Sequence, residues 1–180
     1  GWPIEGAECK IVDEQNRRLP VGQVGELCVR GPMVMKGYHN NPEATRQAID
    51  SEGFFHTGDL AYVDAEGYYY IVDRVKDMIN VGGVKVFPKE VEHVLYEHPA
   101  VAECAVVGIP DERKGETVKA YIVLKAGYGP SEALAEEIRQ HCLRELAAYK
   151  HPREIEFVTE LPKTASGKIQ KYLLRGGRAH

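Results

Sequence analysis

The chain changes character at Asp73, and that change limits what it can fold into. Before it, short strands alternate with turns. Glu8 to Val12 alternates moderately and ends in the turn DEQNRR. Gly25 to Arg30 sets Leu27 and Val29 against Glu26, Cys28 and Arg30, the pattern of a half-buried strand. The segment YYYIVD at 68–73 returns after the hairpin turn DAEG. One short helix is expected here, from Pro42 to about Ile49, with proline in its first turn. After Asp73, helices and aliphatic strands follow one another. Pro88 to Tyr96 puts Val91, Val94 and Leu95 on one helical face. Val101–Gly108, Val118–Lys125 and Ile155–Val158 read as strands. Ser131 caps a helix whose Leu134, Ile138, Cys142 and Leu146 recur every four residues, and a small helix ends the chain. The expected fold class is α+β, with a strand-rich segment over 1–73, an α+β domain over 74–180 and the link at 74–76.

The 180 residues carry 23 Lys+Arg against 27 Asp+Glu, a formal net charge of -4. That balance gives no electrostatic reason to expect nucleic acid or an anionic membrane as partner. No apolar run is long enough for a transmembrane segment; Val101 to Ile109 is broken by Glu103. The cysteines at 9, 28, 104 and 142 are too scattered for a zinc knuckle or redox pair, and read as thiols of a reducing, cytoplasmic compartment. His93 and His98 are five apart and read as surface helix residues, so no metal ligand is assigned. No serine (51, 131 or 166) has a nearby histidine in sequence, which argues against nucleophilic hydrolysis. The opening Gly1, Pro3 and Gly6, without an initiator Met, reads as a cut fragment.

Four stretches could carry chemistry. In Thr57-Gly58-Asp59, where a turn feeds a strand, a fixed carboxylate can accept two hydrogen bonds from vicinal hydroxyls, or simply close its own turn. In Asp73-Arg74-Val75-Lys76-Asp77, an arginine fork suits a hydroxyl pair or a phosphate; the plainer reading is a solvated charged link. In Val81-Gly82-Gly83-Val84-Lys85, two glycines allow a sharp turn or a close approach to a ligand, and Lys85 offers a cation. Pro162 to Lys168 is not a P-loop, because Pro162 stands where glycine is needed and Ile169 where Ser or Thr is needed. It is a small-residue loop presenting Lys168, either to an oxyanion or to solvent.

Taken in order, GYHNNPEAT, GFFHTGDLAYVDAEGYYYIVDRVKDMINVGGVKVFPKEVE, HPAVAECAVVGIPDERKGETVKAYIV and LPKTASGKIQKYLLR resemble the C-terminal third of the adenylate-forming enzymes. These are the acyl-CoA synthetases, luciferases and peptide-synthetase adenylation domains, and the likeness runs from about Gly1 to Arg175. The resemblance implies that 1–73 ends a large, β-barrel-like AMP-binding domain and that 74–180 is the small mobile domain. It implies that Asp59, with Thr57, binds the ribose of ATP and of the acyl-adenylate, and that Arg74 contacts the same ribose or a phosphate. Lys76 takes the hinge position. Gly82, Gly83 and Lys85 match the loop lining the pantetheine channel. Lys168 matches the catalytic lysine that reaches the carboxylate and α-phosphate. The implied reaction joins a carboxylic acid, fatty-acyl or aryl-acyl, to coenzyme A, using ATP and Mg²⁺. The family's phosphate loop and acyl pocket would lie upstream, on a missing N-terminal domain, so the chain alone is not expected to complete a turnover. The alternatives are a peptide-synthetase adenylation domain, which the RGGRAH ending disfavours, and a stand-alone, non-catalytic nucleotide-binding or interaction module.

Overall fold

A computed structural model describes residues 1–175; residues 176–180, the remainder of RGGRAH, lie outside the described residues. The chain divides into two compact units, Gly1–Lys76 and Asp77–His180.

The first unit is an antiparallel meander of β1 (Glu8–Val12), β2 (Gly25–Arg30), β3 (Phe55–Val63) and β4 (Tyr69–Arg74), in that order. Helix α1 (Pro42–Ala48) lies in the β2–β3 connection, its first turn closed by the Asn41 side chain accepting from Ala44 N–H. Strand β2 does not bury its apolar alternation. Cys28 is fully buried with Val12 and Phe54, whereas Leu27 and Val29 are only partly covered. A register shift between Glu26 and Cys28 re-aims the strand.

In the second unit, β5 (Ile79–Val81) and β6 (Val84–Val86) form a hairpin. It is followed by α2 (Pro88–Glu97), β7 (Val101–Asp111), β8 (Gly115–Leu124), α3 (Glu132–Glu145), β9 (Glu154–Phe157) and α4 (Lys171–Leu174). The sheet order is β6-β5-β8-β7, with β9 pairing parallel to β8 and the other pairs antiparallel. Successive side chains of β7 point to opposite faces, and both faces are covered. Cys104 and Val106 join Val91, Leu95, Leu134, Ile138 and Cys142 from α2 and α3. Ala105 and Val107 join Tyr121, Leu161 and Leu174 on the other side. Burial on both faces explains the continuous apolar run of β7. His98 departs from its expected surface position: it caps α2, is 3% exposed, and lies edge-on to the His141 ring at 5.4 Å. A five-residue spacing cannot show that α3 packs over that end of the helix.

Candidate functional site

Thr57, Gly58 and Asp59 lie within β3, which begins at Phe55, rather than at the point where a turn feeds the strand. Gly58 has φ +73, a left-handed conformation that side chains disfavour, so the strand kinks there. Three bonds hold the kink. The Thr57 hydroxyl donates to Leu27 O at 2.7 Å and accepts from Asp59 N–H at 3.1 Å. Gly58 N–H donates to Glu26 Oε1 at 3.0 Å. The other oxygen of Glu26 takes the His56 Nδ1 at 2.8 Å, so one carboxylate fixes two neighbouring positions. Glu26 gave no signal in the sequence because it precedes Gly58 by 32 residues and meets it only through sheet pairing.

Asp59 pairs in register with Arg74, the last residue of β4. Side chains directly opposite on an antiparallel pair are natural neighbours. Arg74 Nε lies 3.5 Å from Asp59 Oδ1, with the side chains 56% and 35% exposed. Such an exposed pair adds little stability, which leaves both groups available to a ligand. Arg74, Val75 and Lys76 line an open depression of about 390 Å³ with Glu26, Thr57 and Gly58. Thus Thr57, Asp59, Arg74 and Lys76 share one region of the first unit. Lys76 lies in the 3₁₀ turn Val75–Asp77 and is exposed.

The remaining candidates belong to the second unit. Gly82 and Gly83, with φ +61 and +87, form the two-residue turn of the β5–β6 hairpin, a geometry that needs positive φ at both positions. Asn80 Oδ1 accepts from Gly83 N–H, and Gly82 N–H donates to Lys114 O, each at 2.8 Å. Lys85 is exposed on β6.

Lys168 is exposed on a hairpin-like loop closed by an antiparallel bridge between Lys163 and Ile169. Thr164 organises this loop. Its N–H donates to Lys168 O at 2.8 Å, its hydroxyl accepts from Lys168 N–H at 3.1 Å, and its carbonyl accepts from Gly167 N–H at 2.9 Å. The stem is tied down by Lys163–Glu103 at 2.7 Å and by Lys171–Glu92 at 2.7 Å. Leu161, Ile169 and Leu174 pack beneath it, and the Tyr121 hydroxyl donates to Leu174 O at 3.1 Å. Thr164 too went unread in the sequence, where it appeared only as one small residue among several.

None of the cysteines is set up as a nucleophile. Burial pushes Cys28 and Cys104 up to about 12 and Cys142 up to about 11, and raises Cys9 as well.

The chain as a whole is similar to known proteins. Residues 90–168 match the family model of the AMP-binding enzyme C-terminal domain, and residues 1–39 match that of the AMP-binding enzyme. A long-chain-fatty-acid–CoA ligase of Escherichia coli O6:H1 is 47% identical over 175 residues, covering 97% of this chain and 30% of that protein. The acetyl-coenzyme A synthetase of Bacillus subtilis is 46% identical over 177 residues, 97% of this chain and 31% of its own length. The crystal structure of the anthranilate CoA ligase AuaEII in complex with anthranoyl-AMP superposes with a TM-score of 0.87 at 48% identity, over 98% of this chain and 34% of that one. The chain therefore spans about 30% of the length of these curated relatives. With both family models matching in order and solved neighbours agreeing along nearly its whole length, the chain belongs to the AMP-binding, adenylate-forming enzymes.

Proposed function

We propose that this chain is the C-terminal part of an ATP-dependent acid–thiol ligase, which converts a carboxylic acid to an acyl-adenylate and passes the acyl group to coenzyme A. The observation that carries this reading is the in-register Asp59–Arg74 pair, whose arginine lines an open depression. The Asp59 carboxylate accepts hydrogen bonds from both ribose hydroxyls, and Arg74 contacts the same ribose or a phosphate. Residues 1–73 form the end of the large nucleotide-binding domain and 74–180 the small domain, with Lys76 at the hinge. The missing N-terminal domain supplies the phosphate loop and the acyl pocket.

Adenylation brings a carboxylate against a phosphate, and a cation at that point offsets the accumulated negative charge. Lys168, on its stapled loop, is the residue for that step. Thioester formation presents Gly82, Gly83 and Lys85 instead, after the small domain turns. One rotation thus separates two half-reactions that need different surfaces. The relatives are named for acids as different as acetate and long-chain fatty acids. A fatty acid is our preferred substrate, and the upstream pocket sets its length. Mg²⁺ would be carried on the nucleotide phosphates. The ligand cluster found among the described residues, Glu26, Cys28 and His56, contains sulfur and nitrogen and does not suit that hard cation. No helix among the described residues is long and apolar enough to cross a membrane, and a cytoplasmic location fits a ligase of soluble cosubstrates.

The test uses AMP and the 180-residue chain. Weak saturable binding by NMR titration is expected, with loss in Asp59→Ala. A chain that folds but shows no shifts around 57–59 and 74–76 would count against the reading and favour a non-catalytic interaction module. In the full-length ligase, Lys168→Ala should slow adenylate formation by about 10²–10³-fold. Transfer from preformed acyl-adenylate to coenzyme A should be spared.

A further inference from the structure

Behind the kinked strand lies a cluster that the ligase chemistry does not use. Glu26 and Cys28 are two residues apart on β2, and His56 pairs in register with Cys28 on β3. Their donor atoms all lie within 4.8 Å of one another. The Cys28 Sγ to His56 Nδ1 distance is 3.5 Å, and His56 Nδ1 to Glu26 Oε2 is 2.8 Å. Tetrahedral zinc with ordinary bond lengths needs sulfur and nitrogen ligands about 3.5 Å apart and nitrogen and oxygen ligands about 3.4 Å apart. The first spacing is already met. The second requires Glu26 Oε2 to withdraw by about 0.6 Å, and its side chain is partly exposed.

The outer side of the imidazole is also furnished. If Nδ1 faces a metal, the ring proton sits on Nε2. Asp50 Oδ2 lies 4.0 Å from that nitrogen. Asp50 accepts hydrogen bonds from Lys10, Asn16 and the N–H groups of Glu52 and Phe54, which fix its position. Closing the 4.0 Å gap to hydrogen-bond distance on metal binding would let Asp50 fix the tautomer and strengthen the ligand, as a carboxylate behind a ligating histidine does. The donor set of one thiolate, one imidazole and one carboxylate suits a borderline-soft cation and leaves a fourth position for water.

We propose that Glu26, Cys28 and His56, with Asp50 behind the imidazole, form a binding site for a soft divalent cation of the zinc type. On binding, the Cys28 S–H bond is replaced by a sulfur–metal bond, and the proton leaves to solvent. Glu26 coordinates through Oε2 and keeps Oε1 on Gly58 N–H, so the metal sits directly behind the Thr57–Asp59 segment. The sequence hides the site because its ligands come from two strands and the intervening spacing matches no metal motif.

Cobalt(II) titration of the 180-residue chain, in a non-thiol reductant, tests this. One equivalent should produce a thiolate-to-cobalt charge-transfer band and tetrahedral d–d bands, both quenched by zinc. Cys28→Ser should lose the charge-transfer band, whereas Cys9→Ser should keep it. His56→Gln should weaken zinc binding by more than the roughly 10–100-fold that an outer-shell change costs. Circular dichroism verifies folding. Should Cys28→Ser fail to fold, Glu26→Gln decides, with a tenfold or greater loss expected, by about the same reasoning. Absence of a one-equivalent band in the unaltered chain would overturn the proposal, as would a band that persists in folded Cys28→Ser or zinc affinity unchanged in His56→Gln or Glu26→Gln. None of these readouts involves nucleotide, so they stand or fall apart from the AMP titration.

Discussion

Lys10 is 5% exposed, an unusual place for a lysine, and it is tolerated because its ammonium is fully engaged. It bonds Asp50 and Glu52 at 2.8 Å each and lies 4.3 Å from the centre of the Phe54 ring, with the Arg30 guanidinium 4.5 Å from the same ring. Because Asp50 is held well below the usual carboxylate range, its contribution is present above an unfolded pKa of about 3.9 and is lost as pH falls below that value. Asp50→Asn is expected to cost about 1–3 kcal/mol at neutral pH and to flatten the acid limb of the stability curve. Urea unfolding at pH 7 and below pH 4 measures both. An unchanged acid limb would show that other carboxylates govern it.

At the scale of elements, two devices can be tested. The first is the Thr164 staple. Thr164→Val keeps the size but removes the hydroxyl that Lys168 N–H donates to, and should cost about 0.5–1.5 kcal/mol. Amide exchange at Lys168 should quicken while that of β8 stays unchanged, as hydrogen exchange by NMR would record. The second is the end of α2. Burial lowers the pKa of His98, opposed by Glu137 and reinforced by His141 and Arg144; burial likewise lowers His151. A neutral buried histidine supports the fold above the unfolded value of about 6.5, and that support drains away as pH falls through its lower native value. Melting temperatures between pH 7.5 and 5 should therefore decline, and less steeply in His98→Gln. An equal decline would place the sensitivity at His151. Much of this level was legible beforehand. Periodicity located α2 and α3, aliphatic runs located β7 and β8, and proline located α1. The β5–β6 hairpin was not legible as strands, because three residues on either side of two glycines are too few to show a period. The inward turn of Cys28 was hidden for a different reason, since a register shift overrides simple alternation.

For the molecule as a whole, the change of composition at Asp73 fell three residues from the division between compact units after Lys76. The candidate site was legible unevenly. Asp59 and Lys168 stood out as charged residues beside glycine, in short runs that no helix or strand pattern claimed. Glu26 and His56 did not, since each acts through a partner that only folding brings near, and Thr164 did not because a local loop closure leaves no periodic pattern. Exposed Lys76 in the 3₁₀ turn offers trypsin a cut between the two units. Limited digestion is expected to give a fragment ending at Lys76 before any cut within β7 or β8, as mass spectrometry would show.

The bond from Tyr121 to Leu174 O carries a consequence for biosynthesis. Tyr121 is wholly enclosed, and its hydroxyl donates to a carbonyl 53 residues later in translation. Until Leu174 has been made and has docked, that hydroxyl must stay wet or go unmatched in the interior, at a cost of about 1–3 kcal/mol. A polypeptide still tethered to the ribosome at residue 170 therefore cannot close the layer beneath the lysine loop. Premature stops upstream of Leu174 should yield chains that proteases recognise by an unsealed interior rather than by a frayed end.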